Sequence, residues 1–238
     1  MCSIILRIDE RGVFIGANRD EMVARSWEAP GAYWPDLLGV VAGRDAVAGG
    51  TWLGMNSHGV VAAVLNRHGS LGPAAGKRSR GDLPLLALAE TSAQAGAARI
   101  AALDAGHYRS FNLVVADAGG AYFLAGLEEG APEMSALDPG TWIITSGQPN
   151  QLSLPRIARH LPKFAAAAFE DWPNLLADGT DPWDSALNIS ARGGFGTVCA
   201  SVMALPQGGA PDWRFAAGPP DVAAFTPVTV AQFSPPAL

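Results

Sequence analysis

Apolar positions along this chain fall into short runs divided by turn chemistry, and the period of those runs changes along the sequence. Ser3 to Ile8 is apolar and β-branched, Asp9-Glu10-Arg11-Gly12 supplies a turn, and Val13 to Ile15 resumes the run, which predicts a β-hairpin. Gly39 to Ala42 and Gly59 to Leu65 are further short apolar runs, and Gly69 to Gly81 reads as a loop from its Gly, Pro and Ser content. From Asp82 to about Asp104 the apolar positions recur at helical spacing, with Asp82 placed to cap the helix and Pro84 in its first turn. Phe111 to Asp117 and Gly120 to Leu127 predict a second hairpin joined by Ala118-Gly119, and Thr141 to Thr145 predicts another strand. Leu154 to Phe169 reads as a helix with a continuation after Pro173. Thr197 to Leu205 and Trp213 to Ala217 are the last predicted strands, and the Pro-rich final dozen residues read as an extended surface segment. Blocks of strands and helices in this order point to antiparallel sheets with segregated helices, an α+β fold. No repeat or linker divides the chain, so residues 1–238 read as one domain.

Composition narrows the function classes. About half of the chain is hydrophobic (49%), and the formal charge of −6 argues against a nucleic-acid partner, which needs clustered Lys and Arg. The one short basic group, Lys77 to Arg80, reads as an exposed loop. No apolar run is long enough to span a bilayer, since Leu83 to Leu103 is interrupted by Glu90, Gln94 and Arg99. Arg7, Asp9, Glu10 and Arg11 break what would be the core of a signal peptide, so the expectation is a cytoplasmic protein with no transmembrane segment. In that compartment Cys2 and Cys199 are expected as free thiols, a disulfide between them being the alternative.

Some motifs fail on spacing. Gly72 to Ser79 resembles a phosphate loop, but three residues separate its glycines where four are needed, and Arg78 stands where Ser or Thr should bind the metal. His58, His68, His107 and His160 form no zinc-type pairing, so no metal site is expected. There is no Gly-x-Ser-x-Gly elbow.

Three features carry chemistry. Cys2 follows the initiator Met1, and once Met1 is removed its thiol shares a residue with an α-amine whose ordinary pKa lies at about 7.7–8.0, suited to act as general base. A buried structural thiol is the alternative reading. Asn18-Arg19-Asp20-Glu21 is a polar string directly after an apolar run: Asp20 can orient an α-ammonium, and Arg19 can keep Asp20 ionised or bind an anionic substrate group, or the string is a solvated loop. Gly49 to Asn56 followed by Gly59 to Leu65, Asn66 and Arg67 combines paired glycines for close backbone approach, Trp52 as an apolar wall, and Asn66 as an oxyanion donor or a turn cap.

Together MCSI at the start, NRDE at Asn18 to Glu21, GGTWLG at Gly49 to Gly54 and LNR at Leu65 to Arg67 resemble the NRDE, or transport-and-Golgi-organisation, family. That family is similar in turn to the cysteine-type penicillin and bile-salt amidases. The resemblance implies an N-terminal-nucleophile-hydrolase fold, an αββα sandwich of two antiparallel sheets between helical layers. It places Cys2, Asp20 and Asn66 at the positions of nucleophile, ammonium holder and oxyanion donor. Arg19 joins them as a catalytic candidate, with Trp52, Asn18 and Arg67 as substrate-binding candidates. The sequence departs from the amidases at Ala17, where they carry an arginine. It departs again at Ser146, where they carry an asparagine, and at Val198, where the family shows an arginine.

Two functions follow from the resemblance. One is hydrolysis of a non-peptide C–N bond in a small acyl amide, with no cofactor. The other is a ligand-holding or trafficking protein on the same scaffold, binding haem or a lipid or acyl-CoA, with Cys2, His58 or His107 touching haem iron. In both, the partner is a small molecule.

Overall fold

The computed structural model describes residues 2–230. Thirteen strands form two antiparallel sheets. The first sheet has the order β10-β1-β2-β11-β12-β13 and the second β3-β4-β5-β6-β7-β8-β9. The first sheet is built from β1 (Ser3–Asp9), β2 (Gly12–Met22), β10 (Gly140–Ile144), β11 (Phe195–Pro206), β12 (Asp212–Ala216) and β13 (Phe225–Pro227). The second contains β3 (Trp27–Gly31), β4 (Val41–Asp45), β5 (Leu53–Met55), β6 (Val61–Asn66), β7 (Phe111–Asp117), β8 (Gly120–Gly126) and β9 (Glu133–Leu137).

Period-two alternation sorts the side chains into layers. Ile4, Leu6, Val13, Ile15 and Met203 of the first sheet meet Leu53, Met55, Val61, Ala63 and Val114 of the second in the central core. The outer face of the second sheet packs Ala62, Leu113 and Val115 against α1 (Asp82–Leu88) and α2 (Ala93–Ala101). The outer face of the first sheet packs Ile5, Ile143 and Val202 against α3 (Pro155–Ala166) and α4 (Trp172–Leu176). The result is the four-layer αββα sandwich.

The two expected hairpins are present: β1 pairs with β2, and β7 with β8 through a two-residue turn that closes Asp117 on Gly120. Several expectations need correction. The helix expected from Asp82 to Asp104 is two helices: the first ends at Leu88, and Ser92, in extended backbone, caps the second by accepting from the Ala95 N–H. Asn56 donates to the Leu88 and Glu90 carbonyls, which α1 leaves free at its end. Asp82 opens α1 without capping it. The helix expected to Phe169 stops at Ala166, and the segment after it forms the short α4. The polar string Asn18 to Glu21 is no loop: β2 runs through it to Met22, paired along its length with β11. Most of the Pro-rich end (231–238) lies outside the described residues.

Candidate active site

Because β2 continues through the polar string, its residues alternate between two environments. Arg19 faces the cleft between the sheets with Ala17, while Asn18 and Asp20 face the helix layer. Both charged residues are buried, Arg19 at 5% and Asp20 at 4% exposure.

On the helix side Asp20 is clamped. One carboxylate oxygen accepts from Arg156 Nη1 at 2.9 Å, and that same nitrogen donates to Ser3 Oγ at 3.0 Å. The other oxygen accepts from the Thr197 hydroxyl at 2.7 Å. Thr197 reaches Asp20 because β11 carries a bulge between Thr197 and Cys199, which re-aims its side chain. Arg156 comes from the first turn of α3, a residue with no local sequence signal. Asn18 donates to the Leu176 and Leu187 carbonyls at 2.9 and 3.0 Å, tying α4 and the following segment to the sheet.

On the cleft side, Cys2, Arg19, Trp52, Leu65 and Cys199 line one cavity. The β1–β2 register, Ser3 opposite Asn18, carries Cys2 alongside Arg19, and the β2–β11 register sets Cys199 on the other flank of Arg19. The two cysteines are therefore about two strand spacings apart, roughly 9–10 Å. A disulfide needs Cα atoms within about 7 Å, so both thiols are free. Half-buried Cys2 donates through Sγ to the Asp20 carbonyl at 3.5 Å. Burial raises the Cys2 pKa above the ordinary thiol value, and the Asp20 charge adds to it. The thiol is thus protonated at neutral pH and needs a base to become a nucleophile. Burial also pushes the Cys199 thiol far above its ordinary value, which makes it inert.

The Arg19 guanidinium lies over the Trp52 ring, 4.3 Å from its centroid, and contacts Asp45 at 3.3 Å and Glu21 at 3.6 Å. On the helix side a different cation, Arg156, holds the Asp20 side chain. Arg19 Nη1 is buried with no hydrogen-bond partner, a donor free for another group. The Ser146 hydroxyl, just beyond the end of β10, is likewise buried without a partner. Ala17 lines the cavity, so the amidases' arginine position is vacated here while Arg19 projects from the same face.

Trp52 can lie flat across β4 because residue 43 is glycine: a Cβ there would sit 2.3 Å from the ring. The paired glycines serve a similar close approach, since a Cβ on Gly50 would meet the Gly81 backbone at 2.5 Å where the Thr51 N–H bonds the Gly81 carbonyl. Asn66 ends β6 half-buried, beyond the Val64 and Leu65 that line the cavity, and is not itself a lining residue. Arg67 is turned to Asn112, donating to its side-chain oxygen at 2.6 Å. Arg80, read from sequence as part of an exposed loop, is half-buried and donates to the Ser70 and Ser110 carbonyls, pinning the loop 69–80 against β7. Burial lowers its pKa to about 10, with Arg109 adding to the effect. His58 and His107 are exposed and do not line the cavity with Cys2. No group of His, Cys, Asp and Glu suited to a metal ion occurs among the described residues. None of their helices is long and apolar enough to cross a membrane.

This four-layer arrangement is the N-terminal-nucleophile-hydrolase fold. The chain superposes on a Caenorhabditis elegans N-acylethanolamine-hydrolyzing acid amidase with a TM-score of 0.57 at 10% identity, covering 85% of this chain and 92% of that one. It matches a conjugated bile acid hydrolase mutant from Clostridium perfringens at 0.53 and 12% identity, covering 96% and 97%. Penicillin V acylase from Agrobacterium tumefaciens gives 0.51 at 12%, covering 91% and 83%. At these identities the likeness shows the fold alone. The chain belongs to the Transport and Golgi organisation 2 family, whose model matches residues 1–174. It is 34% identical over 129 residues to the Transport and Golgi organization protein 2 homolog of Bos taurus, covering 49% of this chain and 45% of that protein. With the Homo sapiens homolog it is 29% identical over 157 residues, covering 60% and 55%. The chain thus spans about half the length of the curated relatives it matches.

Proposed function

We propose that this protein is a cysteine amidohydrolase that cleaves a non-peptide C–N bond in a small acyl amide. The observation that carries the reading is the Cys2 thiol in a buried cleft beside a guanidinium with an unpartnered N–H. With Met1 removed, the α-amine of Cys2 takes the thiol proton and sulfur attacks the carbonyl carbon. Asn66, Arg19 Nη1 and the Ser146 hydroxyl are the candidate donors to the resulting oxyanion. Such a donor is worth about 2.7–4 kcal/mol when preorganised. The amine then protonates the leaving nitrogen as the C–N bond breaks, and water hydrolyses the thioester to the free acid. Asp20, clamped by Arg156 and Thr197, orients the N-terminus. Trp52 forms the apolar wall of the cleft.

The test is intact mass and thiol labelling of the purified protein, followed by a screen of acyl amides. Loss of Met1, selective labelling of Cys2 and a fall in turnover of at least about a thousandfold in Cys2→Ala are the expected results. Full turnover by folded Cys2→Ala, or retention of Met1 in an active protein, overturns the mechanism. A second reading is a lipid-holding protein without chemistry: the Cys2 cavity, about 20 Å³, has no room for an acyl amide at the thiol, and a lipid would have to be held elsewhere on the scaffold. That reading requires acyl-lipid binding that persists while every amide tested stays intact.

A further inference from the structure

An acyl group brought to Cys2 has to be held beside its cavity, because that cavity has room for only about one water. An adjoining groove of about 480 Å³ offers the space, in the range typical of small-molecule sites. Ile189 and Val198 form apolar lining, with Val23, Trp27 and Val222 around them. Three contacts join the groove to the site. The Trp27 ring stands edge-on to Trp52, centroids 5.9 Å apart, and Trp52 belongs to the Cys2 cavity. Val198 of the groove packs in one cluster with Cys199 of the cavity. Thr197, which also lines the groove, donates its hydroxyl to Asp20. No Lys or Arg lines the groove, whereas exposed Asp221 does, so its charge disfavours a carboxylate and its walls favour hydrocarbon.

We propose that this groove binds the uncharged acyl portion of a ligand, and that Trp27 with Trp52 is the partition between that portion and the Cys2 thiol. The ligand's role as a substrate rests on the amidase reading; its binding in the groove does not.

The experiment titrates Cys2→Ala protein with dodecanamide and, separately, with dodecanoate, following tryptophan fluorescence. Trp27→Phe identifies the reporting ring. The expected result is saturable binding of dodecanamide that perturbs Trp27, with dodecanoate weaker. Val198→Asp and Val222→Asp should each weaken the amide at least about tenfold, while Leu38→Asp, at an exposed position outside the groove's lining, leaves it unchanged. Val222 is 78% exposed, so its variant tests the groove without endangering folding. Absence of binding, unchanged affinity in folded Val222→Asp, or a preference for dodecanoate overturns the proposal. Groove-dependent binding without hydrolysis of dodecanamide by the Cys2 protein sinks the amidase reading and supports the groove. Hydrolysis of short amides alongside dodecanamide binding that ignores Val222→Asp does the reverse.

Discussion

The two faces of β2 hold consecutive residues to different standards. Toward the helices, Asn18 and Asp20 are tied to elements far away in sequence: Asn18 to the end of α4, and Asp20 to Arg156 of α3 and Thr197 of β11. Toward the cleft, Ala17 is small and Arg19 keeps a buried nitrogen without a partner. Both faces exclude water, so an unpaired donor on one and a clamped carboxylate on the other call for different explanations. The helix face uses the Asn18 amide nitrogen and the Asp20 carboxylate to fix the sandwich, although Asn18 Oδ1 is buried there without a partner. The cleft face leaves a donor uncommitted next to the thiol, which is what a site awaiting a ligand requires. The contrast also separates the two acidic supports. Burial pushes the Asp45 carboxyl up, but the hydrogen bonds from Arg25 and the Ala48 N–H together with the Arg25 and Arg19 charges hold it below the ordinary carboxylate pKa.

The sharpest break in this contrast is Asp20→Ala. It strips Arg156 of a carboxylate in a place where Arg156 is nearly inaccessible, and removing one member of such a pair costs about 3–5 kcal/mol. Urea unfolding should show that loss. Adding Arg156→Met to Asp20→Ala should recover part of it, because two matched apolar replacements leave no lone buried charge. If the double variant is destabilised by the sum of the two single effects, the pair is not acting as a unit and the clamp is misassigned.

The same contrast explains what the sequence makes legible. β1 with the start of β2, and β7 with β8, announce themselves because apolar runs meet turn chemistry. The edge strands β3 and β9 do not. Pro30 sits in β3 at an irregularity between Glu28 and Gly31, where an edge tolerates it, and β9 is exposed along most of its length. Four polar residues in a row hide the second half of β2, since nothing local shows that β11 lies along it or that Arg156 arrives from a distant helix. Cys2, Arg19 and Trp52 could be named as candidates, and the cleft brings those three together. Asn66 lies just past the lining strand, the Asn18 amide nitrogen is occupied by two carbonyls while its Oδ1 has no partner, and Arg67 is occupied by the Asn112 amide oxygen. Arg156 carries no signal in the sequence and Arg80 reads only as part of a basic loop, because a lone arginine at a helix start or in a Gly-rich loop has no periodic context.

A second measurement probes the helix face through pH. His160 on α3 is 0% exposed and bonds the Ser185 carbonyl through Nε2 at 2.9 Å. Burial lowers its pKa from 6.5 to about 4. Above pH 6.5 both folded and unfolded chains hold it neutral, and stability is full. As pH falls from 6.5 to 4 the unfolded chain takes the proton first, so stability declines, by about 3 kcal/mol in total. His160→Gln keeps a donor for Ser185 and should flatten that decline between pH 6.5 and 4.5 in urea titrations. An unchanged slope assigns the pH dependence in that window to other groups, and Asp178 is not one of them. Lys163 and Thr180 hold Asp178 below the carboxylate range against the opposing pull of burial, and it loses its contribution only at lower pH.

The smallest stability effect belongs to the cleft face, and it is the one that decides the contrast. Arg19→Met removes a buried cation, yet Asp45 keeps Arg25 at 2.7 Å and the Val47 and Ala48 N–H groups at 3.0 Å. No carboxylate is stranded, one unsatisfied nitrogen disappears, and the methionine chain can lie on the Trp52 face. The expected change is within about 1 kcal/mol, far below the Asp20→Ala loss. The functional cost is expected to be disproportionate, about a hundredfold or more in turnover of any acyl amide, if the free Nη1 donates to the oxyanion. Arg19→Lys keeps the charge but not the fork, so it should recover stability more fully than turnover. Destabilisation by Arg19→Met as large as that from Asp20→Ala would show that both faces are structural, and the uncommitted nitrogen would then be a packing defect with no ligand to meet.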